Sequence, residues 1–171
     1  VTGPNGGGKT SLAKVIAGLN QITEGSILLD GIDITDMDIT ERAKFGISYA
    51  FQQPVRFKGI TVRDLLELAS GGQMKEGTIC EILAKVGMCT KDYIDREVNA
   101  SLSGGEIKRI EIATVLARRN SRLIIFDEPE AGIDLWSFSG LIDTFGELKK
   151  DSDKALLVIS HQERLLEIAD E

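Results

Sequence analysis

The apolar positions of this chain follow two different rhythms. "RLIIFD" at 122–127 and "ALLVIS" at 155–160 are short unbroken apolar runs, the first closing on an acid. Runs of this kind suit strands buried on both faces, as in a parallel sheet. "GISYAF" at 46–51 reads as a further strand, and "GSILLDGIDI" at 25–34 alternates around Asp30-Gly31, a hairpin signal. Elsewhere the spacing is helical. Residues 10–19 predict a helix that stops near Gly18, and from Pro54 to about Arg119 the pattern is mostly helical. Boxes of the form S/T-x-x-D/E predict helix starts at Thr61 with Asp64, Thr78 with Glu81 and Ser103 with Glu106. Asp134 opens a long helix to about Lys150, and Ser160 with Glu163 is expected to cap the last one. Strand–loop–helix units with apolar strands predict an α/β fold whose mostly parallel sheet is flanked by helices. Residues 1–53 and 120–171 form its core, with 54–119 inserted as a helical subdomain.

Composition narrows the class. At 171 residues the chain is about one domain, long enough to bury roughly two-thirds of its unfolded surface. With 42% hydrophobic and 27% charged residues it has an ordinary globular make-up. A net charge of −7 argues against a broad nucleic-acid-binding face, so no nucleic-acid partner is expected. The apolar runs fall far short of the roughly 18 residues that span a membrane. Cys80 and Cys89 lack metal-ligand spacing and are expected to be reduced thiols in a cytosolic setting, so the sequon at Asn99 carries no weight. No secretory leader is read, and Val1-Thr2 reads as the end of a first strand that lies upstream. Lys108, Arg109, Arg118, Arg119 and Arg122 are expected to form a solvated helix face.

The chemistry concentrates in glycine-rich stretches and acids. Gly3 to Thr10, "GPNGGGKT", matches G-x-x-x-x-G-K-[ST]. The backbone N–H groups of such a loop curl around a polyphosphate, and the following helix adds its positive end. Lys9 would bridge the β- and γ-phosphates, and the Thr10 hydroxyl would sit on Mg2+. Asp127, closing "LIIFD", would hold Mg2+ through water, and Glu128 beside it could polarise a water for in-line attack. Dinucleotide binding is disfavoured, since Gly6-x-Gly8-x-x-Ser11 lacks the third glycine and Lys9 lies inside the motif. A guanine-specific N-K-x-D motif is absent. A second anion cradle lies at "LSGGE", 102–106, where a capping box and two glycines open a helix N-terminus.

Taken in order, the glycine loop, "LSGGE", "LIIFDEP", "AGID" and "VISH" resemble the ATP-binding cassette (ABC) ATPase family over essentially the whole chain. The resemblance implies a P-loop NTPase core with an inserted helical subdomain, ATP and Mg2+ as ligands, and ATP hydrolysis. It implies that Asn5, Gly6, Gly7, Gly8, Lys9, Thr10 and Ser11 hold the phosphates. It also implies that two cassettes pack head to tail, each placing Ser103, Gly104 and Gly105 over the nucleotide of the other. The two cradles of one chain then serve two different ATP molecules. Gln52 in "AFQQP" matches the family glutamine that senses Mg2+ and the attacking water, with Gln53 the lesser candidate. Asp134 matches an aspartate that contacts the partner cassette, although Ile133 stands where leucine is usual. His161, the sole histidine, matches the switch histidine that bonds the γ-phosphate. Departures are the family's adenine-stacking aromatic, which lies upstream of the phosphate loop and so outside this chain, and Glu130, where a small or neutral residue is usual. The family's first strands and C-terminal end are also missing.

Glu106 in place of glutamine, "GEIKRIEIA", "AFQQPVRFKGITVRDLL" and the glycine of "AGID" resemble the soluble ATPase of the Suf iron–sulfur cluster assembly system. That resemblance implies a cytoplasmic homodimer working on a soluble scaffold. The alternative is the nucleotide-binding subunit of a membrane transporter, peripheral at the membrane, with a permease gripped near residues 52–61. Chromosome-maintenance cassettes place a long coiled coil between the phosphate loop and the signature. Here about 90 residues without heptads separate Lys9 from Ser103.

Overall fold

The computed structural model describes residues 1–53, 55–150 and 154–170, with the side chains of Leu135 and Trp136 left aside. Helix α1 (Lys9–Ala17) rises directly from the glycine loop and stops at Gly18, whose φ of 80° is left-handed. Arg42 holds the far end of α1. It is 3% exposed and donates to the carbonyls of Val15 at 2.6 Å, Ile16 at 2.9 Å, Thr35 at 2.7 Å and Met37 at 2.9 Å. A cation on C-terminal carbonyls complements the helix dipole. It also locks the axis of α1, and so the direction in which its N-terminus points.

Strands β1 (Leu28–Leu29) and β2 (Ile32–Asp33) form the expected antiparallel hairpin. Asp30 (φ 52°) and Gly31 (φ 76°) supply the two left-handed residues that a tight turn of this hand requires. Helix α2 (Ile39–Phe45) opens with a capping box between Asp38 and Glu41, missed in the sequence because its cap is an aspartate. A Cβ on Gly46 would sit 2.6 Å from the Asn120 carbonyl, so only glycine fits between α2 and the next strand.

Strand β3 (Ile47–Ala50) runs parallel to β4 (Leu123–Asp127), which runs parallel to β5 (Ala155–Ile159). The central strand β4 is buried from Ile124 to Asp127. Ile47, Ile125 and Ile159 pack with Ala13 and Ala17 of α1 on one face, while Ala50, Ile124 and Phe126 face the larger core on the other. The period-2 geometry of a strand explains this division, and both faces need a helix layer. Strand β5 departs from expectation. Ala155 is exposed, 156–158 are partly exposed, and Ile159 alone of the strand is buried. Val1 lies along its outer edge, donating to the Val158 carbonyl at 2.7 Å and accepting from the Ser160 N–H at 3.2 Å.

Helices α3 (Val62–Ser70), α4 (Glu76–Lys85), α5 (Thr90–Tyr93) and α6 (Gly104–Ala117) fill the segment between β3 and β4. Thr61 and Ser103 form the expected capping boxes. Thr78 does not: α4 starts earlier, with Lys75 at its N-cap and Glu76 meeting the positive end of the dipole. The core runs without a break from Leu66, Ile79, Leu83, Ile107 and Ile110 to Phe126 and to Phe138 and Phe145 of α7 (Leu135–Lys149). Phe126 and Phe145 meet edge to face at 4.8 Å.

Helix α8 (Glu163–Glu167) takes Gln162 as its N-cap, and the Ser160 oxygen accepts the Gln162 N–H at 3.0 Å rather than one inside the helix. The expected solvated basic face is not one face. Lys108 is fully buried, and Arg118 is half-buried against the carbonyls of Ala43 at 2.7 Å and Ile47 at 3.3 Å. Lys108 stands one turn before buried Ile112 and two before buried Val115, so the phase of α6 turns it inward. Arg119 and Arg122 are exposed. Both cysteines are exposed and unpaired. Among the described residues no helix is long and apolar enough to cross a membrane.

Candidate active site at the carboxyl ends of the strands

The register Ala50–Phe126 and Asp127–Ile159 brings the ends of β3, β4 and β5 to one edge of the sheet. Gln52, Glu128 and His161 follow directly on those ends, the place where open α/β sheets hold ligands. The glycine loop stands beside them. Gly6 (φ 79°) and Gly8 (φ 83°) are left-handed, and a Cβ on either would meet nothing, so these glycines serve the backbone turn. The Gly7 N–H donates to the Pro4 carbonyl at 3.1 Å. Lys9 Nζ donates to the carbonyls of Gly3 at 2.8 Å and Pro4 at 3.0 Å and so lies across the loop. Asn5 to Gly8 and Ser11 are exposed. The free N–H groups at the start of α1 thus face solvent with a lysine beside them, a cradle for anions.

Asp127 is fully buried at the end of β4. Thr10 Oγ1 donates to its Oδ1 at 3.1 Å, and the Tyr49 hydroxyl donates to its Oδ2 at 2.8 Å. Burial first, then the bond to Asp127, pushes the Tyr49 phenol above its ordinary range, so it stays a donor. A threonine hydroxyl facing a buried carboxylate is the hard oxygen set that suits Mg2+. Among the described residues no group of three or more His, Cys, Asp or Glu side chains forms a protein cage for a metal. Thr10 and Asp127 therefore fit an ion that takes its remaining ligands from phosphate and water.

Glu128 has φ 49°, one of two left-handed residues other than glycine among those described. Its N–H continues the sheet ladder to the Ile159 carbonyl at 2.9 Å. Strain of this kind at a strand end is a common mark of a working residue. Gln52 Nε2 donates to Glu128 Oε2 at 2.7 Å. Gln52 and Gln53 are both exposed, and it is Gln52 that reaches the glutamate. The His161 side chain is exposed, while its main-chain N–H donates to Glu130 Oε1 at 3.2 Å. The Ser160 hydroxyl donates to the same oxygen at 2.6 Å. Glu130, an unexplained departure in the sequence, ties the turn that carries His161 to the loop that carries Glu128.

The second cradle is set apart. Glu106 N–H donates to Ser103 Oγ at 3.2 Å, and Ser103 N–H donates to Glu106 Oε2 at 2.7 Å. The Tyr93 hydroxyl donates to Glu106 Oε1 at 2.5 Å, and Arg96 lies 3.7 Å from it. The Tyr93 hydroxyl, followed by the Ser103 N–H and hydroxyl, holds the Glu106 carboxyl down at about 2. Ser103 and Gly104 are exposed. A Cβ on Gly105 would stand 2.7 Å from the Gly132 carbonyl, so the signature packs directly on "AGID". Asp134 is exposed at the N-cap of α7, where its Oδ1 accepts from the Ser137 N–H at 2.9 Å. Among the described residues no hydrogen bond joins 103–106 to 3–11.

Sequence reasoning missed Tyr49 and Glu111 at this site and gave Glu130 only as an unexplained departure. The alternation of "ISYA" could have exposed Tyr49, which shares the face of Ile47 toward α1. Glu111 carried no local signal.

A phosphate cradle on a helix N-terminus, next to a buried carboxylate that ends a parallel strand, is the working edge of a P-loop nucleoside triphosphatase. The profile of the family described as ABC transporter matches residues 1–131, and the chain belongs to that family. It is accordingly an ATPase that uses ATP and Mg2+. An uncharacterized ABC transporter ATP-binding protein of Methanocaldococcus jannaschii is 43% identical over 99% of this chain and 70% of its own length. The iron–sulfur cluster assembly protein SufC of Plasmodium berghei is 32% identical over 98% of this chain and 49% of its own. Among solved structures, a dimeric ATP-binding cassette in a post-hydrolysis state, bound to ADP and Pi, superposes with a TM-score of 0.85 at 25% identity, over 99% of this chain and 76% of that one.

Proposed function

We propose that the chain is half of a head-to-tail cassette pair that closes on two ATP molecules. In this reading Asn5 to Ser11 hold the phosphates of the chain's own nucleotide. Ser103, Gly104 and Gly105 receive the γ-phosphate bound to the partner, and Asp134 meets the partner's surface. The observation that carries the reading is the exposed start of α6, capped by its own Glu106 and without a hydrogen bond to the Lys9 loop among the described residues. A second exposed anion cradle, with no hydrogen bond to the first among the described residues, is suited to a phosphate held by another chain. The solved neighbour's dimeric state supports a second cassette as partner.

Within each site Glu128 draws a proton from the attacking water, and Gln52 orients that carboxylate. His161 donates to the γ-phosphate. Thr10, Asp127 and Gln52 would hold Mg2+. When bound, the ion neutralises charge on the transferred phosphoryl group. Residues 54–119 form the subdomain that passes closure to a partner protein.

For that partner we favour a soluble Suf-type scaffold of iron–sulfur cluster assembly, with the cassette in the cytoplasm as a homodimer. Support comes from Glu106 and its neighbours and from the SufC relative. The second reading is a membrane permease. It is favoured by relatives named probable ATP-dependent transporters, among them one of Pyropia yezoensis at 36% identity. The deciding experiment is a pull-down of full-length Glu128→Gln protein with ATP from its own cells. A stoichiometric soluble scaffold recovered from cytosol supports the Suf reading. A multi-span permease recovered only with detergent overturns it.

A further inference from the structure

Among the largest fully buried side chains of the described residues is a lysine, Lys108, one turn into α6. An ammonium shut away from water is tolerated only when paired and hydrogen-bonded. Lys108 Nζ donates to the Phe51 carbonyl, lies 3.5 Å from the Asp127 carbonyl and pairs with Glu111 Oε2 at 3.3 Å. Glu111, itself mostly buried, accepts the Phe51 N–H on Oε1 at 2.8 Å. One turn of α6 thus takes both peptide groups of Phe51. The two carbonyls that Lys108 binds belong to the residues immediately before Gln52 and Glu128.

We propose that Lys108 and Glu111 are positioning residues that hold the loops of Gln52 and Glu128 in register and tie both to the helix whose N-terminus is the second phosphate cradle. The proposal rests on Gln52 and Glu128 working as the catalytic pair. Gln52 is exposed and Glu128 partly exposed, so the 2.7 Å bond between the two side chains depends on where their main chains are anchored. The buried ion pair supplies that anchor to both loops. Because Lys108 follows Ser103 by a little over one helical turn, a phosphate seated on Ser103 and Gly104 acts on the same rigid element.

The test is a double-mutant cycle in the full-length protein, reading steady-state phosphate release, affinity for a non-hydrolysable ATP analogue and thermal melting. Lys108→Met should lower kcat about tenfold, in the range of coupling within one hydrogen-bond network, while KM and analogue affinity stay within about twofold. Combined with Gln52→Ala, Lys108→Met should add less than about twofold, because the bond it positions is already gone. An equal loss in both backgrounds, or an unchanged kcat, overturns the proposal. If Lys108→Met fails to fold, Glu111→Gln runs the same cycle. It keeps an acceptor for the Phe51 N–H and removes the carboxylate, and coupling or additivity decides again. Gln52→Ala at the wild-type rate would instead overturn the reading of the catalytic pair itself.

Discussion

Gln52 Nε2 stands 2.7 Å from Glu128 Oε2, joining the loop after β3 to the loop after β4. The bond turns one carboxylate oxygen toward the glutamine and leaves the other for water. Glu128→Gln keeps an oxygen acceptor for Gln52 at the same left-handed position and loses the base. Phosphate release should fall by about two to four orders of magnitude. In the head-to-tail arrangement the variant should also run as an ATP-bound dimer on size exclusion. A variant that stays monomeric in saturating ATP and Mg2+ would sink the sandwich.

Ser103→Arg places a long cation on the exposed start of α6, which makes no hydrogen bond to the chain's own phosphate loop among the described residues. Hydrolysis should be blocked while a single chain keeps its nucleotide affinity within about threefold, a difference of well under 1.4 kcal/mol. Titration of monomer with a fluorescent ATP analogue reads this. A large loss of affinity would put Ser103 on its own chain's nucleotide.

Tyr49→Phe removes one of two donors to the buried Asp127 carboxylate. An acceptor left unsatisfied in the interior costs about 1–3 kcal/mol. Urea unfolding should show a loss in that range with an unchanged slope. Nucleotide binding should need more Mg2+, since Thr10 alone then orients Asp127. Wild-type stability in the variant would mean that water replaces the phenol freely.

Gly105→Ala drives a methyl to 2.7 Å from the Gly132 carbonyl, whereas Gly104→Ala meets nothing within 4 Å. Overpacking against backbone costs about 1–3 kcal/mol. Gly105→Ala should melt lower than Gly104→Ala, and its hydrolysis should drop further as "AGID" is displaced. Equal melting temperatures would remove this contact as the reason for glycine.

Glu106 ionises well below its ordinary 4.5, at about 2, because Tyr93 and Ser103 donate to its charged form. Its folded value is depressed, so the stabilisation is fully present above pH 4.5 and is lost as pH falls toward 2. Glu106→Gln, the residue more usual in the family, cannot titrate. The melting temperature of the wild type should exceed that of the variant at neutral pH, and the gap should shrink through this acid window. A gap independent of pH would show that shape, not charge, fixes the position.

Consecutive residues were enough to read the glycine loop, the hairpin turn at Asp30-Gly31, the strand–acid run at 122–127 and the caps at Thr61, Ser103 and Asp134. Each is built by neighbours in the chain, through backbone N–H groups, φ preferences and side-chain-to-backbone bonds a few residues apart, so its signal is local. Whether a side chain meets solvent or core depends instead on what packs against it from far along the chain. Lys108 looked like a surface cation until the loops before Gln52 and Glu128 closed over α6. Ser160 looked like a helix cap, but its oxygen takes the Gln162 N–H and its hydroxyl reaches Glu130, and Tyr49 looked like an ordinary strand residue until Asp127 came to lie opposite it. The pairing of Gln52 with Glu128 and the anchoring of both by one buried ion pair come from three segments that only the tertiary fold brings together.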